Sequence, residues 1–376
     1  MKGYVLFALL LVGMLQSAHF AAAQAKKKGP TPTTKRSASK SKKKAVRYRE
    51  PAVDPTAGDN VDGDELTIRR AAVEALGSVN GSVVVVDPSN GRILTMVNQK
   101  LGLKSGFTPC STIKLVTSLA ALSEHVVDPD TFLRISRYSS FNLTTAIAHS
   151  NNQYFAILGN RLGFERVAYY AQMLGLGEKA GLDIEGEQAG VIPKEPPKFG
   201  GVGLMTSFGE GFQVTPLELA ALLSSIANGG TLYYLQYPRT PDEIESYTAH
   251  VKRKLELAPN GIPDLKIGMR GAVDYGTARR AGYDANEPIL GKTGTCTDFR
   301  ESHHMGWFGS FNDVGKHQVV VVVMLAGGTK AVSGPFAAGV AGAIYRSLSS
   351  QRYFAETGKR PDLPEILTTY PCCSRQ

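Results

Sequence analysis

Ser111 and Lys114 stand three residues apart in "STIKLVTSLAAL" (111–122), a stretch that is apolar almost all round. A helix of that composition belongs in an interior, and the i, i+3 spacing puts the hydroxyl and the amine on one face. A lysine held there loses solvation, which favours its neutral form and lowers its pKa from about 10.4. The pair is then a nucleophile beside a base. The start of a helix adds N–H groups that can face a developing anion. The spacing alone is weak evidence. Ser37/Lys40, Ser39/Lys42 and Ser41/Lys44 repeat it in a lysine-rich stretch. A helix cap beside a snorkelling lysine would explain Ser111 and Lys114 as well.

Two further groups sharpen the reading. "AIAHSNNQYFAIL" offers Ser150 and Asn152 where one helical pattern gives way to the next, and "GKTGT" offers Lys292, Thr293, Gly294 and Thr295 on an expected strand. Ser-x-Asn also occurs at Ser78/Asn80, Ser140/Asn142 and Ser310/Asn312, but Lys-Thr-Gly occurs once. The order Ser-x-x-Lys, Ser-x-Asn, Lys-Thr-Gly, each in a fitting element, is specific. His303 and His304 are adjacent, so on a strand they face opposite ways and make a poor metal site.

Elements able to position these groups can be read around them. "ELTIRRAAVEAL" (65–76) has helical spacing, and "SVVVVDPSNGRILTMV" (82–97) predicts two strands joined near Asn90-Gly91. In "VTPLELAALLSSIANGG" Thr215 caps, Pro216 takes the first helical position, Glu218 completes a capping box and Asn228-Gly229-Gly230 ends the helix. Strands are expected at 289–297, 305–311 and 317–325, and a closing helix at 334–348. Strands at both ends with helices between predict one antiparallel sheet carrying a helical insertion. No internal repeat is evident.

The chain ends frame this core. Lys2, the apolar run 4–18 and the small-x-small Ala23-Gln24-Ala25 predict a cleaved export signal over 1–25, with an uncleaved anchor as the alternative. Residues 26–49 hold 11 of the 42 Lys and Arg and no acid, a composition that cannot fold, inside a linker read as 26–63. Without these and Lys2, residues 50–376 carry 30 basic against 33 acidic side chains. The folded part is therefore not basic, and nucleic acid is not an expected partner. The arm could contact anionic wall or membrane surfaces, or serve as a spacer. Residues 64–350 are read as the folded domain and 351–376 as a tail.

The three motifs resemble those of the penicillin-binding transpeptidases and their serine β-lactamase relatives. "GSVVVVDPSNGRILTMVN", "GEGFQVTPLELAALLSSIANGG", "MRGAVDYGTARR" and "GWFGSF" extend the likeness over most of 65–348. The resemblance implies an α/β (α+β type) fold: an antiparallel five-stranded sheet flanked by helices, with an inserted all-helical subdomain. It implies that Ser111 attacks the carbonyl of a D-Ala-D-Ala peptide of peptidoglycan, or of a β-lactam, and forms an acyl-enzyme. Lys114 would take the proton and Ser150 would pass one to the leaving nitrogen, with Lys292 supplying positive charge. Asn152 would hold the substrate amide. The N–H groups of Ser111 and Thr295 would form the oxyanion hole, and Thr293 and Thr295 would receive the carboxylate. No metal or organic cofactor is implied.

The sequence departs from the family in three places. Only 39 positions separate Ser111 from Ser150, which keeps Ser140/Asn142 as a rival second motif; Cys110 replaces the usual glycine, and Ile113 the usual aromatic. Three readings follow: a DD-peptidase (transpeptidase, carboxypeptidase or endopeptidase), a serine β-lactamase, or a penicillin-binding sensor or wall-docking module without turnover. Neither a Glu-x-x-Leu-Asn nor a Ser-x-Val at the second motif is found to support the lactamase. In this fold Cys110 and Cys296 flank the two oxyanion N–H groups, so a disulfide is expected, as in certain carbapenem-hydrolysing β-lactamases. Two free thiols are the alternative. Cys372 and Cys373 offer no defensible competing partner.

Overall fold

The computed structural model describes residues 52–298, 303–315, 317–329 and 331–355. The export signal, the basic arm and Cys372/Cys373 lie outside these residues. Along the chain, helix α1 (Leu66–Leu76) precedes strands β1 (Gly81–Val86) and β2 (Ile93–Val97). The short α2 (Gln99–Gly102) leads to a 3-10 turn, Cys110–Ile113, that runs directly into α3 (Lys114–Ser123). Next come β3 (Leu133–Ser136), β4 (Ser139–Phe141), α4 (Leu143–Ala148), α5 (Asn152–Leu162), α6 (Phe164–Met173), α7 (Gly201–Phe208) and α8 (Pro216–Ala227). The chain continues through β5 (Thr231–Tyr233), α9 (Pro241–Glu245), β6 (Val251–Lys254) and α10 (Gly261–Asp274). It closes with β7 (Ile289–Asp298), β8 (His303–Asn312), β9 (Val320–Gly327) and α11 (Gly334–Ser350).

Strands from both ends of the chain make one five-stranded antiparallel sheet, in the order β2-β1-β9-β8-β7. Its valine runs are unbroken because both faces are covered. Val84, Val86, Trp307, Val322 and Met324 join one core with residues of α3 and α8. Val83, Val85, Phe308, Val321 and Val323 join a second with residues of α1 and α11. A strand buried on both sides needs no polar alternation.

The expected elements are present, and so is the helical segment between the strands. That segment also carries two small two-stranded sheets, β3-β4 and β5-β6, which the sequence pattern did not reveal. Both are short and mostly solvent-facing, so they lack an apolar period. Helix α8 starts as expected: Thr215 Oγ1 accepts from Glu218 N at 3.0 Å, and the Glu218 carboxylate accepts from Thr215 N at 2.7 Å. The sequence reading extended a linker to residue 63. In the fold, Arg69 pairs with Asp59 (2.8 Å) and Asp64 (2.9 Å) in a buried cluster that ties this stretch to α1. Among the described residues, no helix is long and apolar enough to cross a membrane.

Candidate active site

The turn that carries Ser111 owes its position to burial. Every residue of the 3-10 turn and of α3 from Lys114 to Leu122 is buried. The sequence placed Ser111 at the start of an α-helix. It lies instead in the 3-10 turn, and Lys114 opens the α-helix. The i, i+3 relation survives because a 3-10 turn stacks such residues more closely still. Cys110, just before Ser111, has φ 51°, in the region that favours glycine.

Lys114 is wholly buried, and its Nζ lies 2.9 Å from Ser111 Oγ. It also lies 3.1 Å from Ser150 Oγ and 2.8 Å from Ser150 O, and it donates to Asn152 Oδ1. The two carbonyl oxygens can only accept, so they claim two hydrogens of the amine. In the neutral amine the lone pair is then left for a hydroxyl. Burial, and then the nearby Lys292, push the Lys114 pKa down to about 6; the Phe155 ring stands 5.5 Å from its Nζ.

Ser150 sits between α4 and α5 with φ 54°, a sharp corner that turns it back toward Lys114. Its Oγ accepts from Lys292 Nζ at 2.8 Å, and Lys292 also donates to Thr293 O at 2.9 Å. With Lys292 as the donor on that side, the hydroxyl hydrogen of Ser150 can point toward the Lys114 lone pair or away from it. Burial lowers the Lys292 pKa to about 7.

β7 is an edge strand and passes close to the turn that carries Ser111. A Cβ on Gly294 would stand 2.9 Å from Pro109 O and 3.1 Å from the Trp307 Cβ. Only glycine permits that approach. Trp307 Nε1 holds the other side by donating to Thr108 O at 3.0 Å. Just beyond this contact, Cys110 and Cys296 are joined by a disulfide with their Cα atoms 5.5 Å apart.

Ser111, Lys114, Ser150, Asn152 and Lys292 thus form one connected cluster. Thr293 and Thr295 alternate away from Lys292, onto the sheet face that meets α11. Thr293 shares a 2.7 Å hydroxyl contact with Thr277, and the exposed Thr295 accepts from Gly334 N at 2.8 Å through its Oγ1. Ser140 and Asn142 are not in the cluster. Ser140 pairs with Arg134 in the small hairpin, and Asn142 caps α4. His304 meets Thr297. Thr277 and Phe155 were not singled out from sequence. "DYGTARR" contained the signal for Thr277, but nothing in it showed that the loop reaches Thr293.

A family model described as "Penicillin binding protein transpeptidase domain" matches residues 81–348. Stage V sporulation protein D of Bacillus subtilis is 29% identical over 76% of this chain and 51% of its own length. Peptidoglycan D,D-transpeptidase MrdA of Haemophilus influenzae is 24% identical over 73% of this chain and 54% of its own. The chain therefore spans about half the length of these relatives. Among solved structures, Pseudomonas aeruginosa PBP2 in complex with WCK 5153 covers 81% of both chains at 24% identity, TM-score 0.65. The transpeptidase domain of Burkholderia pseudomallei penicillin-binding protein 3 covers 79% of this chain and 98% of its own, TM-score 0.66. These likenesses concern the fold.

Proposed function

The chain belongs to the penicillin-binding protein transpeptidase domain family, and from that premise we propose that it is a serine acyl-transfer enzyme acting on D-Ala-D-Ala peptides of peptidoglycan. The observation that carries the reading is Lys114 Nζ, buried and within hydrogen-bond distance of Ser111, Ser150 and Asn152 at once. Neutral Lys114 takes the Ser111 proton as Oγ attacks the carbonyl of the penultimate D-alanine. Ser150, held by Lys292, gives its proton to the departing nitrogen. The N–H groups of Ser111 and Thr295 stabilise the oxyanion, and Gly294 lets their two elements come close enough to share it. Asn152 both orients Lys114 and receives the substrate amide. Thr295 and Thr293, the latter backed by Thr277, hold the terminal carboxylate of the leaving D-alanine.

Penicillins would acylate the same serine. Among the described residues, no carboxylate hydrogen-bonds Ser111, Lys114, Ser150 or Lys292, which favours a long-lived acyl-enzyme over a β-lactamase. The relatives' names support a wall-building role. We place the protein outside the cytoplasm, exported by residues 1–25, with the basic arm free to contact anionic wall or membrane surfaces.

The test is covalent labelling with a fluorescent penicillin, followed by peptide mapping of the adduct. Label on Ser111, absent in Ser111→Ala, is expected, together with release of D-alanine from a D-Ala-D-Ala peptide. Label elsewhere, or persisting in Ser111→Ala, would overturn the assignment. Rapid loss of label would transfer it to a β-lactamase, and stable label without D-alanine release to a sensor.

A further inference from the structure

In the acyl-transfer reading Lys114 gains a proton and becomes an ammonium where little compensates the charge. Its Nζ is faced by Ser111 Oγ from its own turn, by Ser150 Oγ and O and Asn152 Oδ1 from the α4–α5 corner, and by the Lys292 amine of β7. Among the described residues no carboxylate pairs with it, while burial and then Lys292 lower its affinity for a proton. The ammonium would have two carbonyl oxygens and no counter-ion, and a buried charge so placed is costly.

Helix α5 supplies one more group. Phe155 follows Asn152 by three positions, the spacing that brings two side chains to one helix face. Both reach Lys114: Asn152 accepts through Oδ1, and Nζ stands over the Phe155 ring, 5.5 Å from its centroid. Phe155 is wholly buried. The Tyr154 ring packs edge-on against it at 5.5 Å, and its backbone carbonyl accepts from Thr206 Oγ1 of α7 at 3.0 Å. The ring is therefore held in place. A ring face carries partial negative charge and attracts a cation within about 6 Å, more strongly where water is excluded. It does little for a neutral amine.

Resting on the acyl-transfer reading, we propose that Phe155 is a positioning residue that acts through Lys114: its ring face stabilises the ammonium formed as Ser111 attacks. In that step the Ser111 O–H bond breaks, Oγ bonds to the substrate carbonyl carbon, and the proton passes to the lone pair of Lys114 Nζ. The ring acts on the charge as it develops and not on the resting amine. Stabilisation confined to the developing charge raises the rate.

The experiment is the pH dependence of acylation by a fluorescent penicillin, with the full chain, between pH 4.5 and 8. Wild type is compared with Phe155→Leu and with protein carrying 3,4,5-trifluorophenylalanine at position 155, which keeps the shape of the ring and weakens its negative face. The direction of the shift separates an electrostatic role from a packing role. Losing the attraction disfavours the ammonium, so the acid limb should move to lower pH by about one unit, and the plateau rate should fall about three- to tenfold. A ring that only fills space behaves otherwise: truncation admits water, solvates the ammonium and moves the limb to higher pH, and fluorination leaves it in place. A downward shift in both variants is expected, and the fluorinated protein decides if Phe155→Leu does not fold. An unmoved or rising limb in the fluorinated protein would overturn the role, while label on Ser111 in the wild type keeps the acyl-transfer reading standing. A wild type with no acid limb would remove the lysine base and this inference with it.

Discussion

At the scale of single residues, the proposed activity would depend on a lysine kept neutral by its surroundings. Because burial lowers the Lys114 pKa to about 6, its base form predominates at neutral pH and is lost as pH falls through that value. Penicillin acylation is therefore expected to fall about tenfold per pH unit below 6, following the fraction of neutral amine. A rate that stays flat from pH 7 to 4.5 would contradict a lysine base. Lys114→Ala should cost about 10²- to 10⁴-fold in acylation at pH 7, the usual worth of a positioned base. Cys110 carries a different cost. With φ 51° it occupies a conformation that glycine adopts freely and other residues do not. The double variant Cys110→Gly, Cys296→Ala should be more stable than Cys110→Ala, Cys296→Ala by about 1 kcal/mol. Denaturant midpoints read this directly, and equal midpoints would show that the turn relaxes once the bridge is gone.

At the scale of elements, the site is a meeting of α3, the α4–α5 corner and β7, and the spacing between them is set by small residues. Gly294→Ala forces β7 off the Pro109 turn or displaces Trp307. Misplacing the oxyanion N–H by about 1 Å can cost up to about 10²-fold. The expected outcome is a large loss of acylation with a much smaller change in the melting curve. A proportionate loss of both would mean that Gly294 serves packing alone. Helix α8 tests a structural element instead. Thr215→Ala removes the hydroxyl that accepts from Glu218 N, and should cost about 1 kcal/mol with acylation unaffected at moderate temperature.

At the scale of the molecule, the Cys110–Cys296 disulfide closes a separation of 186 residues and fastens the nucleophile turn to the edge strand. In the chain-entropy model a loop that long contributes up to about 5 kcal/mol. Reduction, or Cys296→Ser, should lower the melting temperature and slow acylation, because the bond joins the neighbours of Ser111 and Thr295, the proposed oxyanion donors. Free, alkylatable Cys110 and Cys296 in exported protein would remove this expectation. A chain beginning at residue 52 should acylate like the full chain, since every group of the cluster lies beyond it. A large loss in that truncation would show that the basic arm contributes to turnover.

The sheet strands, the capped helix α8 and the candidate residues of the cluster were legible in the sequence, the second motif with a rival. These rest on local signals: unbroken valine runs, a Thr-Pro-x-Glu start, and three short motifs in a telling order. The sequence favoured Ser150/Asn152 but kept Ser140/Asn142 as a rival, because the 39 positions from Ser111 to Ser150 are fewer than the family pattern leads one to expect. Tertiary packing chose: Ser150 is at a corner that faces Lys114, and Asn142 is used up as a helix cap. The 3-10 form of the nucleophile turn, the Thr277–Thr293 contact and the Lys114–Phe155 contact were equally beyond sequence. Each depends on residues brought together from distant elements, or on how tightly a buried turn is wound. The lysine pKa values belong to the same class, since an amine's proton affinity is set by the low-dielectric surroundings that only the folded chain assembles.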